Sequence, residues 1–136
     1  MRLKIPRLLS PHKAKKIRKV IGRRDFYEED IWYCTEAALK VAPVKLTYPA
    51  YCEVQRLARG HEWHKDTGNY NHMVWCKWSA QLLLSPPSHF EGGGLYFRDS
   101  EEPEDKYLTM LIYSSDVEHK ILPHTGDRRV LVMFFQ

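Results

Sequence analysis

The sequence is poor in the features that mark specialised proteins. No apolar run is long enough to cross a membrane. Internal repeats and low-complexity segments are missing, which excludes solenoids and compositionally biased tails. Cysteine is scarce: Cys34, Cys52 and Cys76 are an odd number in no metal-binding spacing. That argues against a disulfide framework and for thiols acting as small hydrophobes in a reduced, cytoplasmic setting. The segment MRLKIPRLLSPHKAKK has positive charge but no continuous apolar stretch and no small-residue cleavage site, so no secretory signal is expected. Acidic residues are absent from positions 1–24, which hold ten lysines and arginines, whereas the remainder has eleven basic against seventeen acidic residues. The net charge of +4 therefore belongs to one end. Such an end suits nucleic acid or an acidic partner, and equally a solvated helix face. The helix face is preferred, and a nucleic-acid partner is not favoured.

What is present fits one globular domain: 136 residues, 43 % hydrophobic and 28 % charged. Residues 1–43 read as a helical part and 44–136 as a β core. Ser10-Pro11 is a helix start, a hydroxyl cap followed by proline. Ala14, Ile17, Val20 and Ile21 continue it at helical spacing until Gly22. Asp25 and Glu28 resemble a capping box before a second amphipathic helix, which contains Ile31, Trp32, Ala38, Leu39 and Val41 and ends at Pro43. Short β-prone segments follow at about 44–46, 51–57, 74–84, 94–97, 108–113, 118–122 and 130–135. Without intervening helices they predict a sandwich or jelly roll, so the fold class is mostly β with N-terminal helices (α+β).

The stretch GHEWHKDTG, residues 60–68, carries the first chemical signal. His64 and Asp66 are two residues apart, the spacing that puts both side chains on one face of an extended segment. A third ligand is offered by His119, at the start of the apolar part of VEHKILPHTGDRRVLVMFF. Two imidazoles and a carboxylate on one face of an octahedron leave three sites open, the facial triad of non-haem Fe(II) oxygenases. Beyond His119, an arginine at 128 or 129 is placed to put a guanidinium deep in the core, where it can pair bidentately with a carboxylate.

His-x-Asp, then SAQLLLSPPSHFEGGGLYF, then HKILPHTGDRR, taken in series, resemble the 2-oxoglutarate- and Fe(II)-dependent dioxygenases, in particular the prolyl 4-hydroxylase-like branch. The resemblance covers roughly residues 45–136. It implies a double-stranded β-helix, a jelly-roll barrel, with Fe(II) held by His64, Asp66 and His119, and 2-oxoglutarate and O2 as co-substrates. It further implies decarboxylation to succinate and CO2 coupled to hydroxylation of a C–H bond, with a prolyl or other residue of a peptide, or a small molecule, as substrate. Carried over, Arg129 binds the distal carboxylate of 2-oxoglutarate; adjacent Arg128 leaves the register open by one residue. Where the family often has tyrosine or glutamine, this chain has Leu83, so the second co-substrate contact is unassigned, with Ser79, Tyr96 and Tyr113 as candidates. The rival reading is a non-catalytic, cupin-like metal-binding or regulatory module, associated with nucleic acid through the basic N-terminus.

Other residues take plainer readings. His61 and His72 are alternative ligands, and His89 and His124 are surface residues in turns. Gly92-Gly93-Gly94 has no following Lys-Ser/Thr, which argues against a phosphate loop and for a turn or bulge between strands. Trp63, Trp75 and Trp78 read as core or cleft walls, with a role near the metal as a less favoured alternative for Trp63. Lys65 should face solvent. RDSEEPEDKY reads as an exposed acidic loop.

Overall fold

The computed structural model describes residues 2–41, 46–47, 49–68 and 73–136. Along the chain come β1 (Arg2–Ile5), α1 (Pro11–Arg18), β2 (Gly22–Arg23), α2 (Glu29–Val41), β3 (Pro49–Gln55) and β4 (His61–His64). They are followed by β5 (Trp78–Leu83), β6 (Phe90–Gly92), β7 (Leu95–Phe97), β8 (Met110–Ser114), β9 (His119–Ile121), β10 (His124–Gly126) and β11 (Val130–Phe135). Among the described residues the architecture is mostly β, with two α-helices. One six-stranded sheet runs in the order β1-β8-β5-β11-β3-β2; a three-stranded sheet runs β4-β9-β7; and β10 pairs with β6. The pairings between these strands are antiparallel.

β11 lies at the centre of the large sheet, and its sequence VLVMFF is apolar on both sides of the pleat, as a strand covered on both faces requires. Leu131, Met133 and Phe135 point to the helical side, where they meet Ala14 and Ile17 of α1 and Ile31, Cys34 and Ala38 of α2. Val130, Val132 and Phe134 point the other way and cluster with Leu83 and Phe90. The three-stranded sheet packs over this second face. Leu95 and Phe97 of β7 and Ile121 of β9 touch Leu111 and Tyr113 of β8.

The helices follow their sequence signals in part. Ser10 caps α1, its Oγ accepting from the Lys13 amide at 3.2 Å. α2 buries Ile31, Cys34, Thr35 and Ala38, an i, i+3, i+4, i+7 stripe. The expected capping box at Asp25 is instead a turn. The Asp25 carboxylate accepts from the Tyr27 amide at 2.9 Å and Glu28 pairs with Arg24, so α2 starts at Glu29.

Strands near 51–57, 94–97, 108–113, 118–122 and 130–135 lie where the sequence predicts them. That predicted over 74–84 starts only at Trp78, because the Cys76 amide closes a turn onto the Met73 carbonyl at 3.0 Å. The segment predicted at 44–46 falls largely outside the described residues, as does the helix end at Pro43. β1, β2, β4, β6 and β10 escape prediction. Yet RLKI does alternate: Leu3 and Ile5 join the helical-side core while Arg2 reaches Glu104. All three cysteines are free and buried.

Leu131 is 1 % exposed and flanked by β3 and β5. Leu131→Ala is expected to lower unfolding stability by about 2–5 kcal/mol in urea titration, whereas Val20→Ala, on an exposed side chain, should change it by less than about 0.5 kcal/mol.

Candidate metal centre and its cavity

β4 and β9 are paired so that His64 lies directly opposite His119. The pairing is tight where it begins. Gly60 has φ +73, and a Cβ there would run into the Ile121 carbonyl, so only glycine lets the chain enter β4 at this distance from β9. Beyond β4 the chain bends, and the amides of Asp66 and Thr67 both donate to the Ser115 carbonyl at 2.9 and 3.2 Å. That pair of bonds fixes Asp66 beside the two imidazoles. Nε2 of His64 is 3.4 Å, and Nε2 of His119 3.2 Å, from the same Asp66 Oδ1. One donor atom from each of the three residues lies within 4.8 Å of the others.

The far side of each ring decides what these atoms are. Nδ1 of His64 is 2.7 Å from the Glu62 carbonyl, and Nδ1 of His119 is 2.9 Å from the Val117 carbonyl. A carbonyl only accepts, so both Nδ1 atoms carry hydrogen and donate. Each Nε2 then meets the carboxylate oxygen as a lone pair in the neutral ring, which is repulsive, or as a donor in the protonated ring, so a proton or a metal ion is needed between them. Two imidazole nitrogens and one carboxylate are a donor set suited to a divalent transition metal. The residues fit such an ion.

Charge at the site follows from these contacts. Burial would raise the pKa of Asp66, but hydrogen bonds from His119 and His64 outweigh it and hold the carboxyl well below the usual carboxylate range. Ser79, beside the carboxylate, lowers the Asp66 pKa further. Burial first, and then the Asp66 charge, push the Tyr113 phenol well above its ordinary value. For His64 burial lowers the pKa, while bonds to Asp66 and the Glu62 carbonyl more than reverse this, leaving it above 6.5.

A cavity of about 460 Å³ opens beside the three residues, between the two sheets. Tyr51 and Glu53 of β3, Gln81 of β5, and Val132 and Phe134 of β11 form the large-sheet wall, with Met73 and Trp75 nearby. No lysine or arginine is among the described residues that line it. Gln81 donates from Nε2 to the Tyr113 hydroxyl at 2.9 Å, and its buried Oε1 has no hydrogen-bond partner among the described residues. Gln81 escaped the sequence reading, although alternation back from Leu83 on β5 puts it on the same face.

The two arginines part company. Alternation sends Arg129 to the helical side, where Nη1 donates to the Arg18 carbonyl at 2.6 Å and Nε to Asp127 at 2.8 Å. It caps the open carbonyls at the end of α1; neither arginine is among the described residues lining the cavity. Arg128 shares the face of Val130, Val132 and Phe134; it is 2 % exposed and ion-paired with Asp105. Its guanidinium passes 5.8 Å from the Phe90 ring centre. Gly93, at φ +77, makes room for it, since a Cβ there would lie 2.9 Å from Arg128 Cδ.

Of the other candidates, Ser79 and Tyr113 are buried near Asp66, whereas Tyr96 faces Lys120 at the opposite surface. His61 stacks on His64 with ring centres 3.7 Å apart and lines the cavity but is outside the three-residue group. His72 lies outside the described residues. His89 is exposed in a turn, as expected. His124, expected at the surface, is buried in β10 with neither ring nitrogen hydrogen-bonded among the described residues, and burial lowers its pKa. Trp63, for which a role near the metal is the less favoured reading, lies beneath Arg98, 3.9 Å from its ring centre, and Lys120 at 5.0 Å. Lys65 is exposed. The acidic loop is not wholly exposed: Asp105 turns inward.

The sequence matches no family model and no curated protein. The structure, by contrast, is similar to several solved ones. A viral collagen prolyl hydroxylase from Paramecium bursaria Chlorella virus-1, in a 2-oxoglutarate complex, superimposes with a TM-score of 0.73 at 12 % identity, over 98 % of this chain and 94 % of that one. A Pseudomonas putida prolyl-4-hydroxylase gives 0.71 at 17 % identity, over 99 % and 84 %. A Trichoplax adhaerens prolyl hydroxylase in complex with a hypoxia-inducible-factor peptide fragment gives 0.70 at 14 %, over 98 % and 82 %. At these identities the likeness is one of fold. No helix among the described residues is long and apolar enough to cross a membrane.

Without metal, the site should show its charges in the stability profile. Ionised Asp66 stabilises the fold above its ordinary pKa of 3.8 and loses that contribution as pH falls toward its depressed folded value. Protonated His64 stabilises below 6.5 and loses its share as pH rises through the raised folded value. The melting temperature of chelator-treated protein is therefore expected to fall as pH rises from 6.5 through the raised His64 value, with His64→Gln flattening that slope. A bound divalent ion, competing with the proton, should reverse it. An identical slope in wild type and His64→Gln would contradict this assignment.

Proposed function

We propose that the chain is a non-haem Fe(II) oxygenase that couples oxidative decarboxylation of 2-oxoglutarate to hydroxylation of a C–H bond, with a prolyl or other residue of a peptide as substrate. The observation that carries this is the convergence of two Nε2 lone pairs and a carboxylate oxygen, with both Nδ1 hydrogens committed to carbonyls. The fold supports it, since its solved neighbours include one in a 2-oxoglutarate complex and one in complex with a peptide fragment. In this reading residues 1–136 form one domain, and the two packed sheets are the strands of a double-stranded β-helix with the cavity at its open end.

Each residue then has a task. His64, Asp66 and His119 hold the iron, the Glu62 and Val117 carbonyls fix the two tautomers, and Ser79 and Tyr113 orient the carboxylate. Between the two arginines, Arg128 shares the face of Val132 and Phe134, which line the cavity, and we take it rather than Arg129 as the anchor for the distal carboxylate of the co-substrate. When bound, iron and 2-oxoglutarate supply the oxidising chemistry: one O2 is consumed, its atoms shared between succinate and the hydroxylated product, with CO2 released. The apolar walls formed by Val132, Phe134 and Trp75 exclude water from it. A cavity of about 460 Å³ is within the range that accommodates small ligands. The Gln81 carbonyl, buried at the cavity wall, is an acceptor for a donor on the substrate.

Under anaerobic conditions, Fe(II) and 2-oxoglutarate added together should give a weak visible charge-transfer band, and in air His119→Ala should reduce succinate formation to background. Succinate production undiminished in that variant would mean that the ligand set is wrong. Products carrying one added oxygen atom, sought by mass spectrometry after incubation with a peptide and metabolite pool, would identify the substrate.

A further inference from the structure

Arg128 already has a carboxylate. Asp105, from the segment between β7 and β8, ion-pairs with its guanidinium, and the two side chains are 2 % and 5 % exposed. The same carboxyl accepts from the Leu95 amide at 2.9 Å through its other oxygen. Phe90 lies beneath the guanidinium, and Gly93 and His124 flank the aliphatic part of Arg128. Burial pushes the Arg128 pKa down to about 10, and the group remains a cation at neutral pH.

Resting on the co-substrate reading above, we propose that Asp105 is an internal competitor for the dicarboxylate's distal carboxylate, seated on Arg128 until that carboxylate displaces it. The reason is electrostatic. A buried guanidinium balanced by one carboxylate is neutral as a pair; a second carboxylate brought against it leaves a net negative charge in an apolar wall, which is strongly unfavourable. One of the two must go. Leu83 sharpens the competition, since it offers no hydrogen bond with which an incoming carboxylate could offset the repulsion. The flanking chain is well held: the Glu104 amide donates to the Leu95 carbonyl at 2.9 Å, and the Glu104 carboxylate pairs with Arg2 at 2.6 Å. Displacement therefore turns the Asp105 side chain out and exposes the Leu95 amide, leaving the rest of the segment in place. Asp105 thereby sets the co-substrate concentration at which the site fills.

Asp105→Asn tests this, because asparagine keeps an oxygen for the Leu95 amide and loses the charge. In the full chain loaded with Fe(II) without oxygen, the variant should melt below wild type when no co-substrate is present, its guanidinium being left unpaired. 2-Oxoglutarate should raise the variant's melting temperature more than the wild type's and bind it at least about tenfold more tightly. Pyruvate, which lacks the distal carboxylate, should not distinguish the two. In the wild-type chain, hydrogen exchange at the Leu95 amide should accelerate at saturating 2-oxoglutarate, and this measurement decides alone if the variant does not fold. Equal 2-oxoglutarate affinities, or unchanged Leu95 protection, would overturn the role of Asp105 and leave the oxygenase reading intact. Iron binding with no 2-oxoglutarate binding in either protein would overturn both.

Discussion

The molecule is organised around an unfavourable meeting of lone pairs. His64 and His119 each give their hydrogen-bearing nitrogen to a backbone carbonyl, so what remains faces a carboxylate that burial alone would neutralise and the imidazoles keep ionised. A positive charge between them, whether a proton on an imidazole or a metal ion, resolves the conflict. The local structure maintains the demand. Cross-strand pairing sets the imidazoles opposite one another, glycine at 60 permits the close approach, and two amide bonds to Ser115 bring the carboxylate round. A site whose three donors are already brought together is preorganised to bind a cation.

Strand alternation distributes every other role. β11 separates a helix-covered core from a cavity wall, residue by residue, and the rule continues into the two arginines before it. One side chain fastens the end of α1; its neighbour enters the apolar wall facing the smaller sheet. The basic N-terminal region is correspondingly used within the molecule: Arg24 caps the Ile17 carbonyl, Arg18 the Leu84 carbonyl, and Arg2 pairs with Glu104.

Much of this was legible in the sequence, and the rest was hidden for definable reasons. A His-x-Asp spacing is local, so the face it shares is readable without any tertiary knowledge. His119 was marked by the apolar strand that follows it. The choice between Arg128 and Arg129 was not readable, because adjacent residues differ only in which side of the ladder they face, and strand pairing sets that. β1 and β4 are short and rich in charge or histidine, and they gain their order from the partner strand more than from their own composition. Asp105 was concealed in a run of acidic residues that looks solvated throughout. His124 was concealed by its position between proline and glycine, which suggests a turn although the ring is buried.

β4 is the outermost ribbon of its three-stranded sheet, and its register with β9 is irregular between His61 and His64. Such a margin is where a sheet frays first. An ion gripped by His64 on that margin, by His119 on the inner neighbour and by Asp66 in the bend beyond would act as a rivet, joining three separate stretches of backbone at one point. Loading the metal and closing the cavity's rim would then be a single event.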